Sequence, residues 1–297
     1  MIALRSKHTF DAIIIGAGSI GTPTALAMAQ VGLHVLVLDR APSPGQGSQK
    51  AAIGGVRATH SDPAKIQLCM RSLDVFSTWK EIHGQDIEWT TGGYTFVAYA
   101  EREATTLSDL LEVQRHYGLN IGWLDAEALR ELVPSLNPDG LLGGTFSPED
   151  GHCSTLLAGH AFYEEAKRAG AAFRFSEHVT AIPMDRGRVT GVVTDRATYA
   201  APIVVNAAGA WSGDVDALVG ASHPVVPDSH EAGITEPVAP FLKPMVVDIR
   251  PAQGSSNCYF YQLTTGQVVF CLTPDPPIVG FDRRETSAFL PLIAQRM

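Results

Sequence analysis

Hydrophobic positions near the start of the chain follow two spacings in turn, and these predict three successive elements. Residues 10–15 form an almost continuous apolar run, typical of a strand buried on both faces. Small and apolar residues then recur at helical spacing over 19–31, and Gly32 suits the helix end. Residues 34–39 repeat the buried-strand pattern. Strand, helix and strand within about 30 residues predict one βαβ unit with parallel strands.

The rest of the chain carries periodic segments of both kinds. After a Pro/Gly/Ser-rich loop at 41–50, Asp62 and Pro63 predict a helix start with a cap and a first-turn proline. The apolar stripe of this helix consists of Ile66, Cys69, Met70, Leu73, Phe76 and Trp79. Further helices are predicted at 103–117, 125–133 and 154–169, the last marked by Leu156, Leu157, His160, Ala161 and Glu164. Strands are predicted as a pair within 87–100 and singly at 172–175, 179–184, 189–195, 203–206, 258–263 and 268–272.

Length and composition favour two joined domains. The chain has 297 residues, of which 45% are apolar, which is ample for a packed core. The pattern predicts an α/β fold in which a Rossmann-like nucleotide-binding domain is combined with a mixed α+β substrate domain. The first is predicted to be discontinuous, comprising 1–85 and 145–220, and the second comprises 86–144 and 221–297.

A glycine motif lies where the first predicted strand turns into the first helix. Residues 16–21 read Gly-Ala-Gly-Ser-Ile-Gly, which is GxGxxG. Gly16 permits the tight turn, Gly18 lets the backbone approach a pyrophosphate, and Gly21 lets the helix pack closely on the strand. Asp39 follows Gly21 by 18 residues and ends the second strand, where a carboxylate accepts hydrogen bonds from an adenosine ribose. The sequence therefore predicts dinucleotide binding.

The same residues limit which dinucleotide is bound. An acid at position 39 favours a free ribose 2′-hydroxyl, as in FAD or NAD, over a 2′-phosphate, although the adjacent Arg40 weakens this inference. The motif alone does not distinguish FAD from NAD.

Charge and cysteine content narrow the classes of partner. A net charge of -9 provides no basic surface for nucleic acid or an anionic membrane, which leaves small molecules and other proteins. The four cysteines lie far apart without CxxC spacing, which favours reduced thiols in a cytoplasmic protein. The apolar run 12–17 is too short and too glycine-rich for a membrane span. The ten histidines form no HExxH motif, so no metal site is predicted.

The loop after the second strand indicates which of the two cofactors, FAD or NAD, is bound. Residues 45–57, Gly-Gln-Gly-Ser-Gln-Lys-Ala-Ala-Ile-Gly-Gly-Val-Arg, resemble the flavin-proximal loop of the family that contains glycine oxidase, sarcosine oxidase and D-amino-acid oxidase. Small residues cross the flavin there, because a planar tricyclic ring needs backbone within van der Waals reach. Residues 206–212 are similar to the family's strand end against FAD, and 148–152 to its Asp-Gly turn. By composition alone, 45–57 also fits a flexible surface loop.

The resemblance implies FAD as the cofactor and a glutathione-reductase-type FAD/NAD(P)-binding fold. Together, the motif and the resemblance predict the cofactor-binding residues Gly16, Ala17, Gly18, Ser19, Ile20, Gly21, Asp39, Arg40, Gly47, Ser48, Gln49, Ala52, Ile53, Gly54, Gly55, Val179, Ala207, Ala208, Gly209 and Trp211. Residues 230–237 and 259–267 favour the branch of sarcosine oxidase β subunits and related amino-acid dehydrogenase subunits. Family members usually continue beyond the position of Met297, so we expect a truncated piece or a subunit completed by another chain, with a homo-oligomer also open.

The implied reaction is oxidation of the C–N bond of a small amine or amino acid, such as sarcosine, glycine, proline or a D-amino acid. A hydride passes to flavin N5 and the substrate becomes an imine, so the protein mainly aligns the C–H bond and excludes water. The candidate catalytic residues are Arg57, His60, Tyr259 and Tyr261. The tyrosine strand could equally be core, since one face packs. Two other classes remain open: an FAD-binding subunit that needs a partner for activity, and a nicotinamide-dependent dehydrogenase.

Overall fold

The computed structural model describes residues 8–297 of the chain. Its backbone divides into two compact units. The first contains the described residues up to Ala52 together with Thr155–Pro227, and the second contains Ile53–Ser154 and Asp228–Met297. Residues 1–7, which the predicted boundaries include, lie outside the described part.

The division differs from the predicted boundaries at three places. Residues 221–227 were assigned to the substrate domain but lie in the first unit. Residues 53–85 and 145–154 were assigned to the nucleotide-binding domain, but they pack in the second unit. The reason is a long-range pairing, because Gly55 pairs with His152 and Val56 with Gly151 in a short antiparallel ladder. No local hydrophobic pattern signals a pairing of that sequence separation.

Seven α-helices are formed by residues 8–297. They are α1 (Gly21–Gln30), α2 (Pro63–His83), α3 (Glu101–His116), α4 (Ala126–Leu132), α5 (Thr155–Arg168), α6 (Ser212–Ala217) and α7 (Phe289–Arg296). The strands are β1 (Ala12–Ile15), β2 (Val35–Leu38), β3 (Gly55–Val56), β4 (Tyr94–Ala98), β5 (Gly122–Asp125), β6 (Gly143–Ser147), β7 (Gly151–His152), β8 (Ala172–Arg174), β9 (Val179–Ala181), β10 (Met184–Asp185), β11 (Arg188–Val189), β12 (Gly191–Thr194), β13 (Thr198–Ala200), β14 (Val204–Asn206), β15 (Ala232–Ile234), β16 (Met245–Asp248), β17 (Ser255–Gln262) and β18 (Val268–Pro274). None of the described helices has the length and apolar character needed to cross a membrane.

The first unit is built on a parallel sheet with the strand order β14-β1-β2-β8. All eight residues of β1 and β2 are buried, as the continuous apolar runs predict. On one face of the sheet, Ile13 and Leu36 pack in a cluster with Val192 and Tyr199 of the antiparallel strands β12 and β13. On the other face, Ile14 lies under α1, which packs in turn against α5. The predicted βαβ unit is confirmed.

Two sequence-based expectations in this unit need correction. The single strands predicted at 179–184 and 189–195 are each divided, because a hairpin of β10 and β11 interrupts the meander of β9, β12 and β13. Helix α5 is formed, but Leu156 and Leu157, which were expected to mark its turns, are exposed. Its buried face carries Ala158, Gly159, Ala161, Phe162 and Ala166 instead.

The second unit is built on a seven-stranded mixed sheet with the order β15-β18-β17-β16-β4-β6-β5. Strands β16 and β4 are parallel, and the other adjacent pairs are antiparallel. The strand pair predicted within 87–100 is one strand, β4, preceded by an isolated bridge between Thr90 and His152. The predicted cap of α2 is confirmed, because the carboxylate of Asp62 accepts a hydrogen bond from the Lys65 N–H at 2.9 Å.

Candidate functional site

The glycines of the first unit create a turn that no larger residue fits. Gly16 has φ of +109°, and a Cβ there would lie 2.4 Å from the carbonyl oxygen of Ala207. A Cβ on Gly21 would lie 1.8 Å from the carbonyl oxygen of Gly16. A Cβ on Gly18, in contrast, would meet nothing within 4 Å. Two of the glycines are therefore required by packing, and the third faces open space.

The start of α1 leaves backbone donors unused. Thr22 is the first residue of this turn whose N–H donates within the helix, to the carbonyl oxygen of Gly18 at 3.1 Å. The N–H groups of residues 18–21 have no acceptor among residues 8–297. Unpaired N–H groups at a helix start, beside a glycine that faces open space, fit the diphosphate of a dinucleotide.

Asp39 is fixed by backbone donors from two sides. Its Oδ2 accepts the Ala17 N–H at 2.7 Å, and its Oδ1 accepts the Ala41 N–H at 2.8 Å. The carboxylate thereby joins the glycine turn to the end of β2. Each carboxylate oxygen offers more than one acceptor position, so capacity for a ribose hydroxyl remains. The adenosine role predicted for Asp39 stays a prediction.

The loop that follows β2 packs within the first unit. The guanidinium of Arg40 lies over the ring of Trp211, with 4.3 Å to the centroid. Gln49 begins a short 3-10 turn, and its Nε2 donates to the carbonyl oxygen of Thr155 at 2.9 Å. Gly159 of α5 lets this amide approach the helix closely, because a Cβ there would lie 1.7 Å from Gln49 Nε2 and would force the amide to move. The Thr155 hydroxyl also donates to the carbonyl oxygen of Ala52 at 3.5 Å, so the loop is anchored on α5 rather than flexible.

The end of β14 and the start of β9 complete the predicted cofactor residues of this unit. The Ala207 N–H donates to the carbonyl oxygen of Ile15 at 2.9 Å, and the Ala208 N–H donates to Asn206 Oδ1 at 3.2 Å. The side chain of Val179 is buried in the cluster beneath the sheet. Its side chain is therefore used by the core, and an adenine contact would fall to its backbone.

In the second unit, the segment 53–58 is supported by residues 150–153. The Cys153 N–H donates to the carbonyl oxygen of Gly54 at 3.0 Å, next to the pairing of β3 with β7. A Cβ on Gly54 would lie 2.3 Å from the carbonyl oxygen of Cys153, and one on Gly55 would lie 2.0 Å from the Tyr94 hydroxyl. These two glycines are therefore required by close packing.

One face of the seven-stranded sheet is lined with aromatic and apolar side chains. Tyr94 lies opposite Met245 in the β4–β16 pair, and Tyr259 lies opposite Val247 and Cys271 in its two pairs. Burial raises the pKa of Tyr94 and of Tyr259 well above the ordinary tyrosine value. We call this row the tyrosine face: Tyr94, Phe96, Met245, Val247, Tyr259, Tyr261 and Val269.

The two candidate tyrosines have different surroundings. Tyr261 is 2% exposed, and its hydroxyl donates to the carbonyl oxygen of Ile53. Its ring also packs against the buried His152 in a tilted arrangement, with 4.4 Å between centroids. These contacts give Tyr261 a role in holding the segment 53–55. Tyr259 is only partly buried, and it remains the better candidate for contact with a substrate.

Arg57 brings positive charge to the tyrosine face. Its guanidinium donates to the carbonyl oxygen of Thr59 and lies over the ring of Phe96, with 5.5 Å to the centroid. Its charge opposes the effect of burial on the pKa of both Tyr94 and Tyr259. The remaining N–H groups of the guanidinium have no acceptor among the described residues. A partly buried cation with unused donors is suited to bind a carboxylate.

His60, the fourth candidate, lies three residues further along the same loop. Burial and the nearby charges of Arg57 and Lys65 lower its pKa to about 4. It is therefore neutral near neutral pH, and its imidazole can accept a hydrogen bond. Its carbonyl oxygen accepts a hydrogen bond from Gln114 Nε2 at 3.1 Å, which fixes its backbone to α3.

Sequence reasoning missed several residues at this site. Asp150 was noted only within a motif, yet it is fully buried beside the loop that carries Arg57. Tyr94 and Met245 were also missed, because alternation along a strand does not reveal which face carries the site. The Asp-Gly turn was the available signal for Asp150. A buried acid next to a tight turn is uncommon without a partner.

Comparisons with known proteins show which family the chain belongs to. The profile of the DAO family, described as FAD dependent oxidoreductase, matches residues 11–297. The chain belongs to this family. The predicted family, its FAD cofactor and the predicted fold class are confirmed, whereas the branch within the family stays a prediction.

The names of several similar proteins describe enzymes that act on small amino acids. The chain is 27% identical to a glycine oxidase of Geobacillus kaustophilus, covering 93% of the chain and 73% of the relative. It is 26% identical to the mitochondrial dimethylglycine dehydrogenase of Homo sapiens, covering 84% of the chain. The crystal structure of L-proline dehydrogenase from P. horikoshii superposes with a TM-score of 0.88 at 25% identity, covering 97% of this chain and 76% of that one.

The relatives differ in how much of their length is matched. The chain spans 29% of the dimethylglycine dehydrogenases of Rattus norvegicus and Homo sapiens. Their activities therefore bear on this chain only as proposals.

Proposed function

We propose that this chain binds FAD and forms the main part of a flavoenzyme that oxidises the C–N bond of a small amino acid or amine to an imine. The observation that carries the proposal is the position of Arg57, a cation with unused donors beside a buried aromatic face. Glycine, sarcosine, N,N-dimethylglycine and proline all combine a carboxylate with a short apolar body. The names of the glycine oxidase, sarcosine dehydrogenase and L-proline dehydrogenase relatives support the same substrate class.

Each residue has a defined part in this proposal. When bound, FAD accepts a hydride equivalent from the substrate carbon next to nitrogen. Arg57 binds the substrate carboxylate, and the tyrosine face excludes water around the substrate body. His60 is neutral near pH 7 because its pKa is lowered to about 4, so its imidazole can accept a hydrogen bond from the substrate nitrogen. The N–H groups at the start of α1 bind the diphosphate of the cofactor.

The proposal is tested with purified protein loaded with FAD. We expect the absorption bands of oxidised flavin, and their loss under anaerobic conditions on addition of glycine, sarcosine, N,N-dimethylglycine or L-proline. R57A is expected to raise the KM for the amino acid by roughly 30-fold or more, and R57K to recover part of that loss. R71A is the matched control, since Arg71 is an exposed arginine on α2.

Three results would count against the proposal in different ways. A flavin that stays oxidised with every substrate supports the alternative, an FAD-binding subunit that needs a partner chain for activity. Equal effects of R57A and R71A on KM would remove Arg57 from substrate binding. Tight binding of NADH without FAD would favour a nicotinamide-dependent enzyme.

The location of the protein is also a proposal. We infer a cytoplasmic location, supported by four cysteines that are all free thiols. Fractionation of cells that produce the protein tests it. The quaternary state, whether a homo-oligomer or a complex with a partner subunit, is tested by light scattering of the purified protein.

A further inference from the structure

The Asp150 side chain extends the pairing of β3 and β7. Gly55 lies opposite His152 and Val56 opposite Gly151, where the ladder ends, while the backbone of His152 exchanges its hydrogen bonds with Thr90 on the other side. Two residues later, the Ala58 N–H donates to Asp150 Oδ1 at 3.0 Å, and both residues are fully buried. The carboxylate therefore satisfies a buried backbone donor that the ladder does not reach.

This contact falls within the loop that carries the substrate candidates. Ala58 lies between Arg57 and Thr59, and the guanidinium of Arg57 donates back to the carbonyl oxygen of Thr59. The position of the guanidinium consequently depends on the backbone at residue 58. The charge of Arg57 also acts on Asp150, where it opposes the effect of burial on the pKa of the carboxyl.

Burial makes an acid costly at this position. It raises the pKa of the Asp150 carboxyl to about 6, whereas the Ala58 N–H and the hydroxyls of Ser147 and Thr59 lower it. Among the described residues, the Ala58 N–H is the donor that meets the carboxylate with ordinary hydrogen-bond geometry. A buried acid kept at that cost needs a reason beyond filling space.

We propose that Asp150 is a positioning residue, which fixes the Arg57 guanidinium toward the tyrosine face by accepting the Ala58 N–H. The proposal rests on the proposed function for its catalytic meaning, since Arg57 is there the group that binds the substrate carboxylate. Asp150 itself touches neither substrate nor flavin in this scheme.

The first experiment needs no activity. Hydrogen exchange of the Ala58 amide is compared in wild type, D150A and D150N at about pH 8, above the pKa of Asp150. D150A removes the acceptor, so we expect exchange at Ala58 to accelerate at least tenfold. D150N keeps an acceptor oxygen at the same distance, so protection at Ala58 is expected to stay near that of wild type.

The second experiment measures substrate kinetics of the FAD-loaded protein. D150A is expected to raise KM by roughly tenfold while kcat falls less, and D150N to restore most of the KM. E149Q is the matched control, because Glu149 is an exposed acid one residue away whose carboxylate contacts Asn120. If Asp150 acts on the substrate only through Arg57, its substitution has little further effect once Arg57 is gone. We therefore expect the R57A/D150A double variant to have nearly the same KM as R57A.

Distinct results overturn the inference and the proposed function. Unchanged protection of Ala58 in D150A overturns the positioning role, whether or not the protein is active. An effect of D150A on KM that is as large in R57A as in wild type also overturns it. If D150A does not fold, D150S takes its place, because it keeps a polar atom in the buried space but lacks the carboxylate reach. Loss of protection together with an inactive wild type leaves the inference standing and removes the proposed function.

Discussion

The carboxylate of Asp39 accepts the backbone N–H of Ala17 at 2.7 Å, which joins the end of β2 to the glycine turn before α1. This side-chain hydrogen bond connects the chain after β1 to the chain after β2, where their backbone pairing has ended. The same carboxylate also holds Ala41, so one side chain orders both walls of the corner in which a nucleotide is expected. A substitution at Asp39 should therefore have two effects, one on the affinity for FAD and one on the stability of the fold.

D39N is expected to weaken FAD binding by roughly tenfold and to lower the free energy of unfolding by about 1–2 kcal/mol. The amide cannot accept from both Ala17 and Ala41, because one of its two polar atoms is a donor. FAD titration followed by fluorescence and urea unfolding measure the two effects.

The control for D39N lies in the same βαβ unit. Asp11 Oδ2 accepts the His34 N–H at 2.7 Å, so D11A removes a comparable bond. We expect D11A to lower stability by a similar amount without weakening FAD binding. Equal losses of affinity in D11A and D39N would contradict a nucleotide role for Asp39.

Substitutions of the glycines should separate packing from cofactor binding. G16A is expected to lower the free energy of unfolding by roughly 2–4 kcal/mol, because its Cβ would meet the carbonyl of Ala207 at a positive φ. G18A should leave stability nearly unchanged and weaken FAD binding, since its Cβ meets only open space where the diphosphate is expected.

A third glycine controls for backbone strain alone. Gly32 has φ of +86° and a Cβ there would meet nothing within 4 Å, so G32A should cost about 1 kcal/mol and leave FAD affinity intact. Thermal unfolding and FAD titration of the three variants test the pattern. A G18A protein that binds FAD as tightly as wild type would be inconsistent with a diphosphate at this turn.

His152 should make the stability depend on acid pH. Burial lowers its pKa to about 4 from 6.5, so the folded state keeps the imidazole neutral while the unfolded state takes up a proton first. Stability from this group is complete above pH 6.5 and is lost as the pH falls toward 4. The full effect is about 3 kcal/mol.

H152Q should remove most of that loss. Urea unfolding at several pH values gives the free energy of unfolding of wild type and of H152Q. The difference between the two pH profiles cancels the contributions of other groups. H116Q serves as a control, because His116 lies on the exposed side of α3. Parallel pH profiles for wild type and H152Q would show that His152 is not buried as described.

A close contact between Gly55 and Tyr94 should produce a rescue. G55A is expected to cost about 2–3 kcal/mol, because its Cβ would lie 2.0 Å from the Tyr94 hydroxyl. Y94F removes that oxygen, so the double variant should regain part of the loss. G122A is the control in the same sheet, since its Cβ would meet only Arg115 Nη2 at 3.8 Å. Additive losses in the double variant would contradict the contact.

Local patterns were sufficient for the first unit. Continuous burial of β1 and β2 follows from their apolar runs, and the turn between β1 and α1 follows from its glycines. Helix α5 shows the limit of such reasoning. Its leucines appeared to mark the core, but the helix packs closely on Gln49 at Gly159, and its buried face consists mainly of small residues.

The second unit could be predicted less well for a physical reason. Alternation along β17 predicts two faces, but only the neighbouring strands determine that Tyr259 and Tyr261 share theirs with Tyr94. The contact of Ala58 with Asp150 spans 92 residues, so no local spacing announces it. The same separation explains why the two units differ from the predicted domain boundaries at residues 53–85 and 145–154.

The hydroxyl of Thr155 reaches the carbonyl of Ala52, so the two points at which the chain leaves and re-enters the first unit lie side by side. The intervening 102 residues, Ile53–Ser154, can therefore be replaced by a short linker without moving the two ends apart. A shortened chain that joins Ala52 to Thr155 through a few glycines and stops after Pro227 would contain every residue of the glycine turn and Asp39, and NMR titration with ADP would test whether this unit binds a nucleotide by itself.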